Sequence, residues 1–140
     1  MERRKNTERI EDPRIEEVRN FLCSYQLSLD LLNLRQYERR RREPFEDPCD
    51  AEEIMKGDED LWKARLIEVR TLLESLRNGR EKLVLYYHYI RGESIERASD
   101  LLGFSRRTGY RVHQRALWQI SFLYARQKKE QKSIFSAIDV

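Results

Sequence analysis

Between Ile15 and Leu32 the apolar residues Ile15, Val18, Leu22, Tyr25, Leu29 and Leu32 recur at spacings of 3, 4, 3, 4 and 3. An α-helix returns side chains to one face at that interval, so this stretch commits the chain to a long helix with a narrow apolar seam. Pro13 suits the first helical turn with Asp12 as the cap before it, and the helix is expected to run to about Arg42. Trp62, Leu66, Val69, Leu73 and Leu76 repeat the pattern at 4, 3, 4 and 3. Between the two stripes, EPFEDPCDAEEIMKGDED holds two prolines, a glycine and a dense run of nine acids. It reads as an acidic loop over 43–61 with a short helical turn at Ala51 to Met55, its last acids serving the dipole of a helix that starts near Leu61. An intramolecular hairpin and a dimer bury the same stripes, and the pattern leaves both open.

Composition extends the helical reading to the whole chain. Five glycines and three prolines in 140 residues are too few for the frequent turns of a sandwich or barrel, while 38% charged residues imply broad solvated helix faces. The fold class expected is all-α. No run approaches the length of a membrane span, and MERRKNTERIEDP lacks the apolar region of a secretory signal, so a soluble, cytoplasmic protein with no membrane partner is expected. Cys23 and Cys49 stand 26 positions apart with no CxxC pair and no nearby histidine, and are read as reduced thiols. His88 sits among Tyr86, Tyr87 and Tyr89, and His113 lies on another helix away from its polar face; both read as structural. With no P-loop, no HExxH and no Ser, His and Asp grouping, neither an enzyme nor a metal or other cofactor is expected.

Charge is distributed unevenly. Residues 1–42 carry a net +3, residues 43–61 a net −8, residues 62–102 a net +2 and residues 103–140 a net +6. No acid occurs between Phe104 and Lys129. A concentrated basic segment is the electrostatic footprint of an element that binds a polyanion.

The local signals around that segment are orderly. Asn78 and Gly79 break the chain before a helix from Arg80 to Ile90, whose inner face is expected to hold Leu83, Val84, Tyr87 and Ile90. Ser94 then caps a short helix, Ile95 to Leu102, pointing Ile95, Ala98, Ser99 and Leu102 inward. Gly103 ends it, and Ser105 caps a basic helix from Arg106 to about Lys129. A bracing helix, a glycine turn and a second helix make the layout of a helix-turn-helix, with Ser99 at the close crossing and Phe104 plugging the core. On the second helix Arg106, Arg107, Tyr110, Arg111 and Gln114 share one face. Arginine suits guanine and phosphate, and glutamine suits adenine. Ser105, Arg106, Arg107, Tyr110, Arg111, Gln114 and Arg115 are the candidate DNA-contacting residues. Trp118, Phe122 and Tyr124 could stack on bases, but with Leu117, Ile120 and Leu123 at helical spacing they are read as core.

From Leu76 to Leu117, LRNGREKLVLYYHYIRGESIERASDLLGFSRRTGYRVHQRAL resembles the C-terminal helix-turn-helix, region 4, of sigma-70-type factors, in the form found in small phage late-gene regulators of the ArpU and RinA type. The likeness lies in Arg80 to Tyr89, in Gly92 and Ser94, in the turn Leu101 to Ser105, and in Arg106-Arg107-Thr108, Tyr110-Arg111 and Arg115-Ala116-Leu117. The heptad helices likewise resemble the N-terminal helical part of those regulators. Two positions depart from the pattern: Ala98-Ser99 replaces an Ile-Ala pair, and Gly109 replaces a β-branched core residue. At Gly109 the lost methyl leaves space that Tyr87 or Phe104 is expected to fill, and alanine there should gain helix stability at the expense of DNA affinity if bending matters.

The resemblance implies a sequence-specific regulator of transcription that binds double-stranded DNA. Its parts are an N-terminal helical arm over 1–76, a helix-turn-helix domain over 77–130 and a C-terminal tail over 131–140 that either packs back on the bundle or remains a short partner-binding peptide. The arm is expected to form a homodimer through the heptad helices or to contact RNA polymerase. The competing class is an interaction module, whose helices bind RNA polymerase or a phage packaging component while the basic residues only solubilise them.

Overall fold

The computed structural model of the chain describes residues 12–41 and 49–138, with side chains over 12–41 and 56–130. Every regular element among the described residues is helical. They are α1 (Pro13–Arg41), α2 (Cys49–Glu74), α3 (Gly79–Leu85) running directly into a π-turn (Tyr86–Ile90), α4 (Ile95–Leu102) and α5 (Arg106–Ile138). No helix among the described residues is long and apolar enough to cross a membrane.

Helix α1 starts as its sequence dictates. Asp12 accepts from the backbone of Arg14 at 2.9 Å through Oδ1 and from Ile15 at 2.8 Å through its carbonyl, and Pro13, which has no N–H to satisfy, fills the first turn. Val18, Leu22, Tyr25 and Leu32 of the seam are buried, with Ile15 and Leu29 packed half-buried at its edge. Helix α2 lies antiparallel to α1. Arg65 stacks over Phe21 and donates to Ser24 Oγ at 3.1 Å; Arg70 donates to the Tyr25 hydroxyl; Arg35 stacks over Trp62 and pairs with Asp58 at 3.5 Å; Arg39 pairs with Glu59 at 3.0 Å.

The acidic stretch expected as a loop is corrected here: residues 49–61 belong to α2, which begins at Cys49 rather than near Leu61. Ala51, Glu52, Glu53, Met55 and Lys56 are strong helix formers, and their summed propensity outweighs the cost of about 1 kcal/mol for Gly57. The acids are not spent on a turn; Asp58 and Glu59 pair instead with arginines across α1.

One apolar cluster joins the arm to the rest. Val18 and Leu22 of α1, Val69 and Leu73 of α2, Leu85 and Tyr89 before α4, and Leu117 and Ile120 of α5 all belong to it. Each fully buried aliphatic side chain contributes about 1.5–3 kcal/mol, so arm and C-terminal helices stabilise one another. The heptad seams expected as a dimer surface are therefore occupied within a single chain, and a homodimer through them would have to open the bundle.

The third helix also differs from expectation. Asn78 caps it, accepting from Glu81 N–H at 3.2 Å, but its last turn is π, with Arg91 N–H donating to Tyr86 C=O at 3.1 Å. That extra residue in the turn sets which of Tyr86 to Ile90 face inward. The buried residues are Glu81, Val84, Leu85, Tyr89 and Ile90, while Leu83 is exposed and Tyr87 only half-buried. The Gln26 amide reaches from α1 to donate to the carbonyls of Tyr89 (3.2 Å) and Ile90 (2.6 Å), at the end of the π-turn. At the other end of the chain, the α5 backbone continues past Lys129 to Ile138; the side chains of the 131–140 tail, like Cys49, lie outside the described residues. Cys23 is a free thiol at the surface.

Candidate nucleic-acid interface

The turn between α4 and α5 is built from short-range signals. Ser94 Oγ accepts from Arg97 N–H at 3.0 Å to start α4. Gly103 ends it with φ 78°, in the left-handed region that glycine adopts without a side-chain clash. Phe104 N–H then donates to Ser99 C=O at 2.8 Å and Gly103 N–H to Asp100 C=O at 3.3 Å, the paired bonds of a Schellman cap. Ser105 Oγ accepts from Thr108 N–H at 3.1 Å, opening α5 only three residues after α4 ends. Four residues separate the π-turn from α4. Ile95, Ala98 and Ser99 are buried as expected, and Leu102 is half-buried.

The two helices cross where Ser99 meets Gly109. A Cβ on Gly109 would stand 1.7 Å from Ser99 Oγ and 2.9 Å from Ser99 Cβ, neither of which real atoms tolerate. Ser99 is fully buried, its hydroxyl donating to Ile95 C=O at 2.7 Å. The space beside Gly109 is thus filled by Ser99, not by Tyr87 or Phe104, so the small residues at 99 and 109 fit one another. Phe104 does not plug the core; it is half-buried at the edge, with the Arg80 guanidinium 5.2 Å from its ring.

All seven candidate residues, Ser105, Arg106, Arg107, Tyr110, Arg111, Gln114 and Arg115, are exposed on the first turns of α5. No carboxylate among the described residues forms an ion pair with Arg106, Arg107, Arg111 or Arg115. Tyr110 is the one held back: its hydroxyl donates to the Glu96 carboxylate on α4. That bond holds Glu96 below the usual carboxylate range and raises the Tyr110 phenol. Glu96 also attracts Arg106 electrostatically, so the α4 side of the row is anchored while Arg107, Arg111 and Arg115 face outward.

Behind the row, His113 is buried and shares a 2.9 Å hydrogen bond with the Tyr89 hydroxyl, its ring stacked near that of Tyr89. His88 stands 5.4 Å away, centroid to centroid, and its Nδ1 lies 2.6 Å from Glu93 C=O. Burial first, then the proximity of His88 and Arg19, lowers the His113 pKa to about 4. The imidazole is neutral at physiological pH and ties α5 to the π-turn.

Two features escaped the sequence pattern. Arg80 reaches the turn from the start of α3, 24 positions before Phe104, so no periodicity could place it there. Trp118 and Phe122 are not core: they are 43% and 44% exposed, ring centroids 5.0 Å apart, and continue the face of Arg107, Arg111 and Gln114 at helical spacing. The signal was present, since Trp118 falls four residues after Gln114. Among the described residues no three His, Cys, Asp or Glu side chains form a group that could hold a metal ion. Comparison with protein-family models, with curated proteins and with solved structures finds no match.

Proposed function

We propose that this chain is a sequence-specific regulator of transcription that binds double-stranded DNA through α4 and α5, used as a helix-turn-helix of the sigma-70 region 4 kind. The observation that carries the reading is the exposed, acid-free row from Ser105 to Arg115 at the start of a helix held by the Ser99–Gly109 crossing. The ten helical residues from Arg106 to Arg115 rise about 15 Å, a length that a major groove about 12 Å wide accommodates. Arg107, Arg111 and Gln114 face base edges; Ser105 and the free N–H groups of the first turn face phosphate, joined by Arg106 and Arg115. Tyr110, tethered to Glu96, lies at the flank. Action is by occupancy, without a cofactor.

A second reading has its own support in Trp118 and Phe122, since exposed aromatics beside a basic row suit a protein surface as well. In that reading the helices dock on RNA polymerase or a phage packaging component and the arginines read no sequence. Selection of bound sites from random duplex DNA, followed by titration of the winner at several salt concentrations, separates the two. A regulator yields a defined motif and a steep negative salt slope, which loses about one unit for each phosphate contact removed, as in Arg115→Ala. Failure to retain any DNA at low salt leaves the interaction module.

A further inference from the structure

Helix α1 carries a second apolar row, on the side turned away from the bundle. Leu27, Leu34 and Tyr37 are 61%, 53% and 52% exposed. They belong to an unbroken 4-3 alternation that enters at Glu16, Asn20 and Cys23, passes Leu27 and Asp30, and leaves through Leu34, Tyr37 and Arg41. Every residue of this alternation is exposed. Four of its eight positions, Cys23, Leu27, Leu34 and Tyr37, are apolar, and the row runs over 26 residues, about 39 Å of helix, long enough to lie along a second helix. The main apolar cluster takes its last α1 residue at Leu29, so the outer half of the arm has α2 as its packing partner.

The charges at the ends of the row identify what covers it. An antiparallel pairing that lays Glu16 of one copy on Arg41 of another also lays Asn20 on Tyr37, Cys23 on Leu34 and Leu27 beside Asp30. The pairing is self-complementary and closes two Glu16–Arg41 contacts by symmetry. A parallel pairing would oppose Glu16 to Glu16, Asp30 to Asp30 and Arg41 to Arg41, three like-charge layers. We propose that the outer row of α1 binds the same row of a second copy of this chain, antiparallel, in a two-fold symmetric dimer. The inner seam keeps the bundle closed, and the dimer forms on the opposite face of the same helix. This inference stands on the arm alone and does not depend on DNA binding.

Sedimentation of the full chain across about 1 to 100 µM tests it, the range over which a helix-pair interface assembles. The weight-average mass is expected to rise from 17.1 kDa toward twice that value. Leu27→Glu with Leu34→Glu should hold the mass at the monomer value with unchanged helicity and melting, because both side chains are exposed. Glu16→Arg alone and Arg41→Glu alone should each weaken association about tenfold, and the two together should restore it. Asp30→Leu should tighten it. A parent chain that stays monomeric at the highest concentration overturns the proposal. So does a dimer indifferent to the double glutamate variant, or a charge swap that fails to restore what the single reversals lose.

Discussion

Replacing Gly109 by alanine pits helix propensity against packing. Propensity alone favours the change by about 1 kcal/mol. The new Cβ, however, would stand 1.7 Å from Ser99 Oγ and 2.9 Å from Ser99 Cβ. Rotating the Ser99 hydroxyl away relieves only the first contact and gives up its 2.7 Å bond to Ile95 C=O, worth about 1 kcal/mol. The second contact is fixed by the backbone, so α4 itself must move, and overpacking of this kind costs about 1–3 kcal/mol. The losses exceed the gain, and Gly109→Ala is expected to be net destabilising by about 1–3 kcal/mol, a fall of roughly 4 °C in Tm for each kcal/mol in a chain of this length. Urea unfolding followed by circular dichroism measures it. The decisive control is Ser99→Gly combined with Gly109→Ala, which transfers the bulk from one helix to the other. This pair should recover most of the loss, with a coupling of about 1–2 kcal/mol in the double-mutant cycle. If Gly109→Ala instead raised Tm, the helices would not cross as closely as described, and the bracing of the basic row would lose its physical basis.

The buried His113 makes stability depend on acid. Its folded pKa of about 4 lies below the unfolded value near 6.5, so the stabilisation is complete above pH 6.5 and is lost as pH falls through 4, in total about 3 kcal/mol. Unfolding free energies at pH 7, 5.5 and 4 should show the decline, and His113→Phe should flatten it; equal slopes in the two proteins would refute the assignment. Gly103→Ala meets no atom within 4 Å, so only the left-handed backbone opposes it, and thermal melts should record a loss of about 1–2 kcal/mol, less for Gly103→Asn. Gln26→Ala removes two hydrogen bonds from α1 to the π-turn, and hydrogen exchange should speed up over residues 89–94 more than in α2. Arg111→Lys keeps the charge but not the planar fork, so in a binding assay with single-base variants of the selected site it should lose discrimination at one position, by about 1–3 kcal/mol, while the salt slope stays put.

What the sequence disclosed was what neighbours in the chain decide. The seam of α1, the caps at Ser94 and Ser105, and the stop at Gly103 each need only a few adjacent residues, and the basic row follows from helical spacing once Ser105 opens α5. Decisions made across the fold were hidden. Residues 49–61 read as a loop because proline, glycine and acid crowd together there, yet Asp58 and Glu59 find arginines on α1 that only packing brings near. On the third helix Leu85 and Tyr89 are buried where Leu83 and Tyr87 were expected, and the π-turn that places Tyr89 inward is a break that no 3.6-residue pattern contains. Gly109 looked like a lost methyl until Ser99 was seen to occupy the place. Arg80 and Glu96, which frame the candidate interface, come from other helices and leave no trace in the spacing of α5.

The reach of Gln26 into the carbonyls of Tyr89 and Ile90 has a mechanical consequence. One amide fastens the long lever of α1 to the joint immediately ahead of α4. A load on that lever that strains or relaxes this fastening is felt at the joint, and a coupling between α1 and a ligand on α5 would by reciprocity be equal in both directions.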